Sequence, residues 1–170
     1  KIQARMIIKD PGSAITHFIG MLCAIAGLFP IILKAASNGT VVTTISMTVF
    51  MVSMILLYAA STTYHTFDIS ENVNLRLKRL DHCMIPVLIA GSYTPVCLVV
   101  LHNIYGYVMF SIVWGTAALA IAFKLLWVTC PKWISSVLYI IMGWTCIMAF
   151  PQIYAALTGP AFWWLLAGGI

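Results

Sequence analysis

The chain has 170 residues, of which 62% are hydrophobic and 8% charged, with a mean hydropathy of +1.03. A soluble domain carries about 25% charged residues, so the composition excludes a water-soluble globule, whose surface as well as core would have to be apolar. The net charge of +5 calls for no nucleic-acid partner, because the basic residues fall into a pattern that membrane insertion explains. The class is an all-α, polytopic membrane helix bundle of one domain. Five cysteines (Cys23, Cys83, Cys97, Cys130 and Cys146) are scattered, mostly inside apolar runs, with no CxxC pair. They read as small reduced hydrophobes rather than disulfide partners or thiolate ligands.

A spanning helix needs about 20 mainly apolar residues. Five such segments are expected, at about Ser13 to Ala36, Val41 to Phe67, Asp81 to Leu101, Tyr107 to Val128 and Ile134 to Tyr154. The first run is long enough to span, and no small-residue cleavage site follows it, so it does not resemble a signal peptide. A sixth segment begins near Ala161 and stops at Ile170, inside its span. The sequence opens at Lys1 without a methionine. The expectation is a fragment, missing most at its C-terminus.

With alternating helices, Lys1, Arg5, Lys9, Arg76, Lys78, Arg79, Lys124 and Lys132 fall on one side and Lys34 on the other. That asymmetry predicts a cytoplasmic N-terminus. It also suggests attraction to anionic lipid headgroups. Trp127 and Trp133 bracket the Cys130-Pro131-Lys132 loop on the inner side, while Tyr105, Tyr107, Tyr154, Trp163 and Trp164 mark outer ends. Interfacial belts favour such rings.

The stretch 68–80 is the most polar part of the middle chain. Val73, Leu77 and Leu80 recur at helical spacing opposite Arg76 and Arg79, with Ser70 placed to cap. A short interfacial helix is expected there, ahead of the third span. Pro30, Pro86, Pro95 and Pro151 each remove a backbone donor inside a span, which neighbours or water must offset. Gly91-Ser92-Tyr93-Thr94-Pro95 is the densest such spot and predicts a kink.

The ionisable groups His17, His65 and Asp81 all fall near the inner ends of spans. Polar groups at such depths are costly and usually functional. Ser61 and His65 lie four apart and share a helix face. His65 suits a metal, because imidazole binds zinc and similar ions. It equally suits a helix-end histidine bonded to backbone or headgroup. Asp81 follows Arg76, Lys78 and Arg79, which allows a surface ion pair, yet it opens an apolar run, which favours a buried role. His17 could ligate, or orient a neighbour through its ring. A catalytic zinc keeps three protein ligands and a water, and His17, His65 and Asp81 are one such candidate set. His82 points about 100° away from Asp81, and His102 lies at the opposite face. Both read as incidental.

The stretches Asp10-Pro11-Gly12-Ser13-Ala14-Ile15-Thr16-His17-Phe18-Ile19-Gly20, Ser61-Thr62-Thr63-Tyr64-His65 and Leu80-Asp81-His82 resemble hemolysin III proteins. Gly91-Ser92-Tyr93-Thr94-Pro95 and Met142-Gly143-Trp144 fit as well. That family is the bacterial branch of the progestin and adipoQ receptor group, with alkaline ceramidases as distant relatives. The resemblance implies a seven-helix bundle, cut here within helix six, with zinc near the cytoplasmic face. It makes His65 one zinc ligand and assigns the other two to a His-x-x-x-His pair on helix seven, absent from this sequence. It places Asp81 on the zinc-bound water and Ser61 close to the site, and it leaves His17 in a motif without a ligand role. Relatives often carry glutamate where Asp10 stands with a shorter reach.

The resemblance and the residues together leave three functional expectations. One is a zinc-dependent hydrolase of lipid amides or esters, with Asp81 accepting a proton and Ser61 steadying an oxyanion. On that reading the 170-residue chain alone is inactive. Another is a pore-forming cytolysin or a receptor-like lipid sensor without turnover. The last is a zinc that merely staples the bundle. Membrane lipids are the expected partners in each.

Overall fold

The computed structural model describes residues 8–169. Lys1 and Arg5, counted above toward orientation, and the terminal Ile170 lie outside the described residues. Those residues are helical with short connections and contain no strand. Among them are five helical segments long and apolar enough to cross a membrane. The protein is thus a multi-pass membrane helix bundle.

Helix α1 (Pro11–Asn38) begins where Asp10 accepts the Ser13 backbone N–H at 3.5 Å and the Ser13 hydroxyl at 2.7 Å. Pro11 takes the first helical position, where a missing N–H costs nothing. Helix α2 (Val41–Thr66) is capped by Thr40, which accepts the Thr43 N–H while the Thr43 hydroxyl takes the Thr40 N–H. The reciprocal pair satisfies two donors that a helix start otherwise leaves open. The two helices pack on each other and turn back toward the face from which α1 started.

Helix α3 (Glu71–Pro95) differs from the expectation. Ser70 caps it, accepting the Val73 N–H at 3.4 Å, and the helix runs unbroken from the polar stretch into the apolar one. No interfacial helix is set off from the span, since nothing between Glu71 and Ile85 breaks a helix. Asp81 therefore lies ten residues inside α3, roughly 15 Å along its axis, rather than at its start.

Past Pro95 the helix widens into a π-helical segment, Val96–Leu101. Proline offers no N–H to the preceding turn, and the register slips there. His102 ends the segment at φ 30°, a left-handed conformation uncommon outside glycine. Asn103 then caps α4 (Ile104–Leu126), accepting the Gly106 N–H at 3.0 Å. A Cβ on Gly106 would come within 2.2 Å of the Cys97 carbonyl oxygen, so only glycine allows α4 to start this close to the π-helical segment.

The fifth span is discontinuous. Helix α5 (Lys132–Trp144) tightens into a 3-10 turn over Thr145–Ala149, just ahead of Pro151, and resumes as α6 (Phe150–Ala156). Tyr93 of α3 serves this break: its hydroxyl donates to the carbonyls of Met142 and Gly143 and accepts the Cys146 N–H at 2.8 Å. Lipid offers no water to such groups, so a neighbouring side chain must satisfy them. Helix α7 (Gly159–Gly169) follows.

Small and medium side chains fill the centre: Ala90, Cys97, Val113, Ala117 and Ala120 from α3, its π segment and α4, with Met142, Ile153 and Phe162 beyond. Gly91 sets how closely α2 and α3 cross, because a Cβ there would meet the Ser53 side chain. Large apolar residues face outward, among them Phe29, Leu119, Leu126 and Trp164. In water that surface would be prohibitive, whereas lipid solvates it. One residue departs from the expected sorting of basic side chains: Lys124 is fully buried in the protein and does not face the headgroups.

Candidate functional site

Helices α1, α2 and α3 enclose a cavity of about 210 Å³, lined by His17, Leu57, Tyr58, Ser61, His65, Asp81 and Ile85. His17 from α1, Ser61 and His65 from α2, and Asp81 from α3 thus share one space. His82, Asp81's neighbour, turns away from it. The His82 carbonyl accepts the Tyr139 hydroxyl at 3.1 Å, and its buried Nδ1 has no partner among the described residues. His102 sits at the α3–α4 turn, outside the cavity.

Two hydrogen-bonded pairs organise the site. His65 Nδ1 lies 3.2 Å from Asp10 Oδ2, and no other basic side chain comes within 4.0 Å of a carboxylate among the described residues. The backbone supports that contact, since the Asp10 N–H donates to the His65 carbonyl at 2.9 Å and the Lys9 N–H to that of Thr66 at 3.4 Å. Lys9 also lays its ammonium over the Tyr64 ring, 3.8 Å from the centroid. Lys9 and Asp10, just ahead of α1, are therefore stitched to the end of α2. Hydrogen bonds from the Ser13 hydroxyl and backbone, with a smaller contribution from His65, hold the Asp10 carboxyl below the usual carboxylate range. Asp10 is thus a carboxylate at neutral pH, able to accept from His65 Nδ1–H and to leave Nε2 as the ring's free lone pair.

The second pair joins α1 to α2: His17 Nδ1 and Ser61 Oγ are 2.6 Å apart. His17 also meets the His65 ring edge-on, with centroids 5.8 Å apart, and tilts against Tyr58. Asp81 faces this group from α3. It is 7% exposed and has no hydrogen-bond or ion-pair partner among the described residues. The surface pairing with Arg76, Lys78 or Arg79 that the sequence allowed does not form among them.

The metal-ligand set of His17, His65 and Asp81 that the sequence allowed is not assembled. Among the described residues no three His, Cys, Asp or Glu side chains converge closely enough to hold a metal ion. His65 remains the side chain best prepared to ligate, because a carboxylate behind Nδ1 is the usual support of a metal-binding histidine. The sequence pointed to Asp10 only through a motif position, and its shorter side chain does reach the histidine. A second, apolar groove of about 320 Å³ runs between α1 and α2, past Gly20, Cys23, Gly27, Met51 and Met54. Tyr58 is a wall of both spaces.

A family profile described as "Haemolysin-III related" matches residues 6–170. The chain is 40% identical over 164 residues to "Hemolysin-3 homolog" of Bacillus subtilis (strain 168), covering 96% of this chain and 76% of the relative. It is 39% identical over 168 residues to "Hemolysin-3" of Bacillus cereus, covering 99% of this chain and 76% of that protein. No solved structure matches. A match along almost the whole chain, in two relatives and in the family profile, makes this protein a member of the haemolysin-III related family.

Proposed function

We propose that the protein is a zinc-dependent membrane hydrolase of lipid amides or related esters, with its site near the cytoplasmic face. The observation that carries this reading is the Asp10–His65 pair at the edge of a cavity that also holds Ser61 and Asp81. His65 would hold the metal through Nε2, and the further ligands would come from outside the described residues. A His-x-x-x-His pair on a further helix, as in the family pattern, would supply both from one helix face. Bound there, zinc supplies Lewis acidity and an acidified water.

The side chains have separable tasks. Asp81 accepts a proton from the attacking water at its carboxylate, which has no ion-pair partner among the described residues and lines the same cavity. Ser61 donates its hydroxyl to the developing oxyanion, and that requires its partner His17 to be the donor at Nδ1, freeing the serine proton. Asp10 fixes the tautomer and orientation of His65. The apolar groove behind Tyr58 favours a lipid substrate, because an acyl chain can lie along it while the carbonyl sits among the polar groups.

The name of the Bacillus cereus relative, Hemolysin-3, favours a second reading, a pore-forming cytolysin. The full-length protein, zinc-loaded and placed in vesicles holding a fluorescent lipid amide or ester and a trapped dye, separates the two. The expected result is release of the acid product with the dye retained. Dye loss without product supports the cytolysin.

We further propose a cytoplasmic N-terminus. With Lys124 buried, the inner flanks still hold Lys1, Arg5, Lys9, Arg76, Lys78, Arg79 and Lys132 against Lys34 outside. Cys130 is too buried to report topology, whereas Asn72 is exposed at the start of α3. Asn72→Cys, with the native cysteines replaced, is expected to react with an impermeant maleimide only after cell lysis. Labelling of intact cells would reverse the orientation.

A further inference from the structure

A second cluster of reactive side chains lies apart from this cavity, where α4 meets the loop leading into α5. Lys124 is completely buried, yet no carboxylate lies within ion-pair distance of it among the described residues. Its ammonium donates instead to Cys130 Sγ at 3.1 Å and to Ser135 Oγ, and these two atoms are themselves 3.3 Å apart. Phe123 and Tyr139 flank the ammonium, with ring centroids 5.7 and 5.8 Å away. A buried ammonium is stabilised by a nearby anion, and among its contacts the Cys130 sulfur is the group that can supply one by ionising. Burial pushes the Cys130 thiol up, but hydrogen bonds from Ser135 and Lys124 and the lysine's charge outweigh it, so the net shift is downward.

We propose that Cys130 and Lys124 form a peroxide-responsive covalent link, a sulfenamide between Sγ and Nζ, that ties the end of α4 to the inner loop. A thiolate beside a cation is the form of cysteine that oxidises most readily, and a sulfenic acid condenses with a nearby nitrogen. Sγ attacks one oxygen of hydrogen peroxide, the O–O bond breaks, and the departing hydroxide takes a proton from the Lys124 ammonium. This leaves a sulfenic acid, a neutral amine and one water. Nζ then attacks the sulfur, the S–O bond breaks, and the hydroxyl leaves with an amine proton, relayed by Ser135 Oγ, as a second water. Thiolate, ammonium and peroxide thus become a sulfenamide and two waters, with sulfur oxidised by two electrons and the peroxide reduced. The remaining cysteines lack a lysine at this distance among the described residues.

The test is peptide mapping of the purified full-length protein after stoichiometric hydrogen peroxide and alkylation of the remaining thiols. Trypsin normally cuts after Lys124. The link is expected to block that cut and give one fragment spanning 80–132, short of two hydrogens and not alkylated at Cys130. Dithiothreitol should restore both the cut and the thiol. Lys124→Arg, which keeps the charge, is expected to stop at a dimedone-trappable sulfenic acid. Should that buried substitution fail to fold, the wild-type map decides alone. Normal cleavage at Lys124 with Cys130 unreacted, or carried on to a sulfinic acid, overturns the link.

Discussion

Asp81→Asn in the full-length protein is expected to lower kcat for lipid hydrolysis by roughly 10²–10⁴-fold, the usual contribution of a positioned general base. Zinc content should stay near that of the wild type. The substitution keeps the side chain's shape and leaves no donor stranded, since the carboxylate has no partner among the described residues. What it removes is a base that lines the same cavity as Ser61 and His65. If Asp81 were a ligand, zinc and activity would fall together. If the site only stapled the bundle, thermal stability would drop and there would be no activity to lose. Kinetics and metal analysis on one preparation separate these outcomes.

Much of the architecture is legible in hydropathy, because lipid imposes both the length and the apolar character of a span. The caps at Thr40, Ser70 and Asn103 follow from local chemistry as well, and Ser70 was readable in advance. The start of α3 was not. Charged residues at 71–81 mark where a chain leaves lipid, but a helix continues through an interface without any change of backbone. Pro95 signalled a kink, yet a kink and a π-helical widening remove the same hydrogen bond and look alike in sequence.

The candidate site divides in the same way. Ser61 and His65 are four apart, and helical geometry alone puts them on one face. The pairs Asp10–His65 and His17–Ser61 join residues far apart in the chain, and only the packing of α1 on α2 brings them together. Lys124 carried the opposite signal. Counting flanking charges treats every basic residue as solvated, whereas this one turns inward to Cys130 and Ser135. Cys130 and Ser135 lie six and eleven residues beyond Lys124, so the loop into α5 must fold back for the three to meet.

The central claim is that His65, steadied by Asp10, ligates zinc. A ligating histidine is a direct donor to the ion, and the support behind it contributes 10–100-fold in affinity, by the usual cost of removing such a partner. Asp10→Ala should therefore weaken zinc binding by roughly that factor and leave the bundle intact. Removing the imidazole itself goes further, because a site with three protein ligands does not retain its metal firmly on two. The direct measurement is zinc per chain in purified full-length wild type and His65→Ala, after dialysis against a weak chelator. The account predicts about one zinc per chain in the wild type and almost none in His65→Ala. Equal zinc in the two proteins, or none in either, would contradict it.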